Sequence, residues 1–365
     1  MSSPLDALYI HIPFCSSICL YCDFTKLLYQ DGWAFAYLEA LLEELDLKYK
    51  NKKFSTIYIG GGTPNCLPLP LLERLLKAIQ PHLRKKYEFT IECNPEFVSE
   101  ALVKLLKKYG VNRVSMGLES ADPALLKAMG RHHDFKKAQE AVYLLKKAGI
   151  INISIDIIYA LPGETMEIIK RDLEAVLSLD VPHISAYSYI QEKNSIWTRQ
   201  GIEEAPSDEQ GAYYEAVEKA LLNAGYDHYE ISSYARKGYQ SKHNKAYWKD
   251  RYYGALGLGA SGYEGDIRYK NTLSLPKYLK GEYFGEEETV TKEDDIHYFL
   301  MTNLRLKEGF SLKTFTNRFG FDIVKEKREI IEKECRLGLL ELTKARLKPT
   351  YLGMKLLDSI LLELF

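Results

Sequence analysis

Three thiols lie within eight residues, in Cys15-Ser-Ser-Ile-Cys19-Leu-Tyr-Cys22. Thiolates this close together are metal ligands before they are anything else. A closed zinc site needs four ligands. No fourth follows nearby, since the next histidine downstream is His82, although His11 stands shortly before Cys15. An iron–sulfur cube accepts three thiolates and leaves one iron open to chelate a small molecule, and short spacers let one loop reach three corners of it. The cube suits this spacing better and zinc is the alternative. The other cysteines, Cys66, Cys93 and Cys335, read as small apolar packing groups.

Five further positions or stretches have residue types that could do chemistry. Gly60-Gly61-Gly62-Thr63-Pro64 would let a ligand approach bare backbone. Glu92-Cys93-Asn94-Pro95, Ser115-Met-Gly117-Leu-Glu119-Ser120 and Asp156 place acids along the chain, and Arg131 adds a cation. The elements that must position them alternate. β-rich runs are expected at 8–12, 56–59, 87–92, 113–116, 151–158, 183–189 and 226–231. Amphipathic helices are expected at 33–49, 69–79, 100–109, 135–148, 167–179 and 208–224. Gly110 and Gly149 read as helix stops, and Ser207 as an N-cap. Such alternation predicts parallel βα units, six of them, in a full or partial barrel or an open sheet. The thiols, the glycine turn, Glu92, Glu119 and Asp156 all fall at or near strand ends. Parallel sheets gather their chemistry at the carboxyl edge.

Composition narrows the function classes. The chain has 365 residues, 46% hydrophobic and 27% charged, with a net charge of −1. It reads as globular and not as a globally basic nucleic-acid binder, so no nucleic acid is expected as a partner. The N-terminal stretch has no secretory pattern and no window is apolar enough to span a membrane, so a cytoplasmic protein with reduced thiols is expected. Residues 232–275 are rich in Tyr, Gly, Lys and Arg, lack periodicity and read as a long loop or cover. Beyond about 285 the pattern predicts helices at 293–304, 312–318 and 323–334, a hairpin of 339–342 and 347–350, and a last helix. That order resembles a winged helix, with Pro349 confining its strand to an edge.

The string Tyr9-Ile-His-Ile-Pro-Phe-Cys15-x3-Cys19-x2-Cys22 resembles the signature of radical S-adenosylmethionine (SAM) enzymes, and more narrowly that of the coproporphyrinogen III oxidase-like family. The resemblance implies an α/β fold, a partial (β/α)6 barrel. It implies that Cys15, Cys19 and Cys22 hold a [4Fe–4S] cluster, with SAM on the open iron and cleaved by an electron from the cluster. Tyr9, Tyr21, Gly61, Gly62, Thr63, Glu92, Glu119, Arg131 and Asp156 are the positions it assigns to SAM. Glu119 departs from the family's usual glutamine, and a carboxylate there donates no hydrogen bond unless protonated.

Within the family, the oxidases carry a further cysteine two residues after the third, where this chain reads Asp23-Phe24, as the haem-chaperone branch does. His243-Asn244-x2-Tyr247-Trp248 is similar to a motif of that branch. A histidine or tyrosine can ligate haem iron and aromatic faces can stack on a porphyrin, so His243, Tyr247 and Trp248 are candidate haem contacts. The alternative is that they anchor the cover segment. Tyr263 stands where the family usually has histidine. The expected organisation is a barrel over residues 1–231, a cover or linker over 232–284 and a winged-helix-like domain over 285–365. The resemblance implies a haem-binding chaperone that passes haem to an acceptor protein, with an electron donor as a further partner and peripheral membrane association open. The alternatives are an oxidoreductase decarboxylating coproporphyrinogen III or acting on another porphyrin-like substrate, and a regulatory binding module using the winged-helix-like tail.

Overall fold

A computed structural model describes residues 5–365. Twelve strands form one sheet: β1 (Ala7–Ile12), β2 (Phe54–Gly61), β3 (Leu83–Cys93), β4 (Arg113–Glu119), β5 (Asn152–Tyr159), β6 (His183–Ser188), β7 (Asp227–Glu230), β8 (Ser233–Ala235), β9 (Tyr253–Leu256), β10 (Ser261–Glu264), β11 (Ile267–Asn271) and β12 (Phe284–Thr289). Their spatial order is β12-β11-β10-β9-β1-β2-β3-β4-β5-β6-β8-β7. From β9 through β6 all neighbours run parallel. The helices that return the chain between β1 and β6 are α1 (Asp31–Tyr49), α2 (Leu69–Ile79), α3 (Glu100–Lys108), α4 (Pro123–Met129), α5 (Phe135–Lys147) and α6 (Met166–Ser178). Then come α7 (Ile196–Arg199), α8 (Ser207–Asn223) and α9 (Lys242–Trp248).

This is the expected partial barrel, and the strand pattern explains it. In β5, Ile153, Ile155 and Ile157 are buried within the main hydrophobic core. Asn152, Ser154 and Asp156 alternate with them and pair through the register with Arg113, Ser115 and Gly117 of β4. Period-two alternation sends the apolar set to one face and the polar set to the other. The lumen is therefore lined with hydrogen-bonding side chains. Ser99, Asp122, Asp134 and Thr165 cap α3, α4, α5 and α6 by accepting from backbone N–H groups. Gly110 and Gly149 end their helices at φ +83° and +80°, as expected. Ser207 is not a cap: Pro206 holds that position and Ser207 is the first residue of α8.

Residues 232–284 are not a loose cover. They extend the sheet at both edges, β8 against β6 and β9 against β1, and supply α9 between them. These strands span three to six residues, and β8 and β9 join the barrel through partners far away in sequence, so local periodicity was too short to mark them. The outermost strand, β12, is exposed along its whole length.

The C-terminal part is a separate core of Phe299, Phe310, Phe315, Phe319 and their neighbours. Its helices are Lys292–Asn303, Leu312–Phe319, Ile323–Glu326, Arg328–Arg336, Tyr351–Lys355 and Leu357–Leu364. The helix expected over 323–334 is broken at Lys327. The strand Arg346–Pro349 lies in the middle of a three-stranded sheet, not at an edge. Pro349 is tolerated because the flanking strand Phe310–Ser311 reaches only Arg346 and Leu347, leaving no partner for an N–H at Pro349. Tyr263 fastens this domain to the sheet: its hydroxyl donates to Asp295 at 3.2 Å, and Arg268 lies between the Tyr263 and Tyr298 rings.

Candidate functional site

The three-thiol loop begins and ends at one point. Phe14–Cys15 pairs in parallel with Leu27–Leu28, and Tyr29 N donates to the Cys15 carbonyl at 2.8 Å. Inside the loop Cys22 N donates to Cys19 O at 3.3 Å and the Lys26 ammonium to Cys22 O at 2.6 Å. The loop's flank is tied to the barrel, with Leu20 N on Met129 O of α4 and Trp197 N of α7 on Leu20 O, both 3.0 Å. All six cysteines are free thiols. Burial pushes Cys15 up to about 11, against a hydrogen bond from Thr63, and burial also raises Cys22. Such thiols stay protonated until a cation displaces the proton, as metal ligation does.

The glycine turn lies directly on this loop. A Cβ on Gly62 would stand 2.7 Å from Cys15 Sγ and 2.8 Å from the Phe14 and Pro13 carbonyls. Gly61 has φ +122° and its Cβ would meet the His11 ring. Gly61 N donates to Glu92 Oε2 at 3.0 Å and the Tyr58 hydroxyl to Oε1 at 2.8 Å, so Glu92 braces the turn. Thr63 is buried, with its N–H on Phe14 O at 2.8 Å.

Burial pushes the Glu92 carboxyl from 4.5 up to about 7, against the two hydrogen bonds it accepts. A raised folded-state value makes this residue's stabilising contribution complete below about 4.5 and lost as pH climbs through about 7, a difference on the order of 3 kcal/mol. Cofactor-free wild type should therefore lose thermal stability relative to Glu92→Gln between those pH values. A stability gap that does not change with pH would refute this.

Arg131, on the segment after α4, is part-buried, with its side chain 6% exposed. It reaches Asn94 Oδ1 at 3.1 Å and Cys19 Sγ at 3.7 Å, and donates to the Gly117 carbonyl. Glu119 lies 3.9 Å from it. Glu119 occupies a left-handed conformation, φ 67°, where the β4–β5 register shifts. Burial raises its pKa, against Arg131. Burial likewise raises Asp156, which accepts from Ser115 at 2.9 Å and Ser154 at 3.1 Å. Tyr21 packs on Trp197 with ring centres 6.0 Å apart. Tyr9 donates to or accepts from His11 Nδ1 at 2.9 Å, beside Tyr58.

The thiols, the turn, Arg131 and the acids thus stand at one mouth of the barrel, and their arrangement fits a cluster with a zwitterionic ligand. Three free thiols share one loop, although among the described residues no three Cys, His, Asp or Glu side chains are already gathered as a metal-ligating set. Gly62 keeps clear the space a Cβ would fill, and Arg131 Nε and Asp23 Oδ1 are buried without a partner. Phe24, two residues after Cys22, is 72% exposed.

The second motif lies elsewhere. His243 is buried at the base of the lumen, where its Nδ1 meets Thr56 Oγ1 at 3.0 Å and its Nε2 the Tyr247 hydroxyl at 2.8 Å. Its ring stacks on Tyr58, 5.1 Å between centres. Lys242 N and His243 N both donate to buried Glu88. Both His243 nitrogens are engaged, so this geometry presents it as an anchor of α9 rather than a free iron ligand. Trp248 has its indole nitrogen buried without a partner, with Arg305 over its ring at 5.5 Å. Cys66 and Cys93 differ: Cys66 Sγ donates to Phe14 O at 3.4 Å beside the loop, while Cys93 is buried at the end of β3. His133 is buried, meeting Leu118 O at 3.0 Å and Glu96 at 3.5 Å. Sequence reasoning missed Tyr58 and the role of Asn94. The signal for Tyr58 was its even spacing from Thr56 and Gly60 on a lumen-facing strand.

Residues 9–176 match the Radical SAM superfamily and residues 290–356 the HemN C-terminal domain. The chain is 41% identical to the Heme chaperone HemW of Lactococcus lactis, over 97% of this chain and 96% of that one. It is 34% identical to the Heme chaperone HemW of Bacillus subtilis, over 97% of each. The fold matches coproporphyrinogen III oxidase (HemN) from Escherichia coli at TM-score 0.87 and 21% identity, covering 100% of this chain and 90% of that one. With thiols, glycine turn and acids assembled at one barrel mouth and full-length relatives at this identity, the chain belongs to the HemW family of the radical SAM superfamily.

Proposed function

We propose that the protein is a haem chaperone: it holds haem for transfer to an acceptor protein and carries a [4Fe–4S] cluster with exchangeable SAM. The observation that carries the cofactor part is the contact between Gly62 and Cys15, which sets the glycine turn against the three-thiol loop. The haem part rests on full-length relatives named Heme chaperone HemW. When bound, the cluster and SAM supply reductive cleavage of a SAM carbon–sulfur bond. Cys15, Cys19 and Cys22 would ligate three irons. The backbone of Gly61 and Gly62 would line the ligand's path, and Glu92 would keep that backbone in place while offering an acceptor for hydroxyls. Arg131 would meet a carboxylate, and Asp156 and Tyr21 would bound the far wall. The hydrogen bonds of Leu20 to Met129 and Trp197 would hold the loop's flank in place against α4 and α7.

No helix among the described residues is long and apolar enough to cross a membrane. A cytoplasmic location, an electron donor and an acceptor protein belong to this reading, and peripheral attachment to a membrane is compatible with it.

The test is haem titration of anaerobically reconstituted protein, followed spectroscopically, beside an assay with coproporphyrinogen III. Stoichiometric haem binding without conversion is expected. Efficient decarboxylation to protoporphyrinogen IX would overturn the reading in favour of the oxidoreductase. A related outcome concerns Glu119. Gln supplies the donor that the carboxylate lacks, so Glu119→Gln should tighten SAM binding about fivefold, the worth of one hydrogen bond. Unchanged or weaker binding by calorimetry would remove Glu119 from the SAM contact.

A further inference from the structure

The opposite mouth of the barrel holds a cavity of about 790 Å³, walled by the starts of β2 and β3, the end of β8 and one face of α9. Lys86, Lys237, Lys242, Lys245, Lys249 and Arg251 line it. Its only acids are Asp6 and Asp227, each already paired outward, Asp6 with Arg84 at 2.6 Å and Asp227 with Lys307 at 2.7 Å. Lys245 and Lys249 share Glu308, at 3.4 and 3.0 Å. Among the described residues Lys86, Lys237, Lys242 and Arg251 have no ion-pair partner. Like charges around one cavity repel each other, and an anion held between them removes that cost.

We propose that this cavity binds a phosphorylated small molecule of nucleoside-polyphosphate size. Its volume is that of a ligand pocket rather than a protein interface. Five of its six cations are lysines, which hold phosphate oxygens as compact point charges. Tyr87, Ala235 and Ala246 give it an apolar stretch of wall for the rest of the molecule. The site shares no lining residue with the three-thiol mouth, and the proposal stands apart from the haem-chaperone reading.

Calorimetric titration of the full-length protein at about 50 mM salt, where surface charge is weakly screened, tests it with ATP, inorganic triphosphate and citrate as probes. ATP and triphosphate should bind saturably. Lys86→Glu/Lys237→Glu should weaken both about tenfold or more, because two attractions become repulsions. Both side chains are exposed, so the fold should survive, and Arg251→Gln gives a milder second variant with a several-fold loss. Lys127→Glu/Lys137→Glu, at the other mouth beside Arg131, should bind like wild type. No saturable binding of ATP or triphosphate, an equal loss in that control pair, or citrate binding as tightly as triphosphate would each overturn the proposal.

Discussion

Anaerobic reconstitution of the Cys19→Ser protein should give a folded chain without a [4Fe–4S] cluster. Wild type should take up about four irons with the broad visible absorption of such a centre, and the variant close to none. The three thiols sit in one loop whose two ends are pinned together by the Phe14–Cys15 and Leu27–Leu28 pairing. No other cysteine can replace the lost ligand without rebuilding that loop. Cys66 donates to Phe14 O and Cys93 is buried at a strand end. Cys19 is half-buried, and its thiol makes a single weak side-chain hydrogen bond, accepted from Arg131. Its replacement should therefore leave the circular dichroism and melting temperature of the cofactor-free protein nearly unchanged. An intact four-iron cluster in the variant would contradict the ligand assignment, and a collapsed fold in Cys19→Ser would be separated from ligand loss by Cys22→Ser, which should behave alike.

Gly62→Ala should be nearly as damaging with every ligand present. Its methyl group would fall 2.7 Å from Cys15 Sγ and 2.8 Å from two backbone carbonyls. The thiol could swing away, but the carbonyls of Pro13 and Phe14 are fixed by their own hydrogen bonds to Leu27 N and Thr63 N. The turn must move instead, against the hydrogen bonds of Gly61 N to Glu92, Gly62 N to Ile12 O and Thr63 N to Phe14 O. A displacement of about 1 Å in a site this tight is worth roughly a hundredfold in binding. SAM affinity of the reconstituted variant should fall by that order, with iron content reduced as well. Wild-type SAM affinity in Gly62→Ala would mean that the turn does not face the ligand.

The barrel strands were most legible where polar and apolar residues alternate and a capped amphipathic helix follows, as α6 follows β5. Asn152-Ile-Ser-Ile-Asp-Ile spells both faces of β5 in a single line of sequence. The thiol loop and the glycine turn were legible because their chemistry needs rare residues at fixed spacing. What sequence did not disclose depends on distant partners. β8 and β9 are three- and four-residue strands whose pairing is set by β6 and β1. In sequence His243 reads as either a haem contact or an anchor, and Thr56, nearly two hundred residues earlier, takes one of its nitrogens. Tyr263 in place of a histidine becomes intelligible only once Asp295 and Arg268 are beside it. Tyr58, linking Glu92 to the His243 ring, belongs to no motif at all.

The sheet never closes, and an open sheet leaves two rows of unpaired backbone that invite copies of the chain to stack into fibrous aggregates. At the β7 end the C-terminal domain occupies that row: Lys307 N donates to Tyr229 O and Ile231 N to Arg305 O. At the other end β12 presents Glu286, Glu287 and Glu288 in succession along a fully exposed strand. Two such strands brought side by side would set three carboxylates against three, with no cation of their own strand between them. One border of the sheet is covered by the protein's own domain and the other carries like charge, so each opposes edge-to-edge pairing without the barrel being completed.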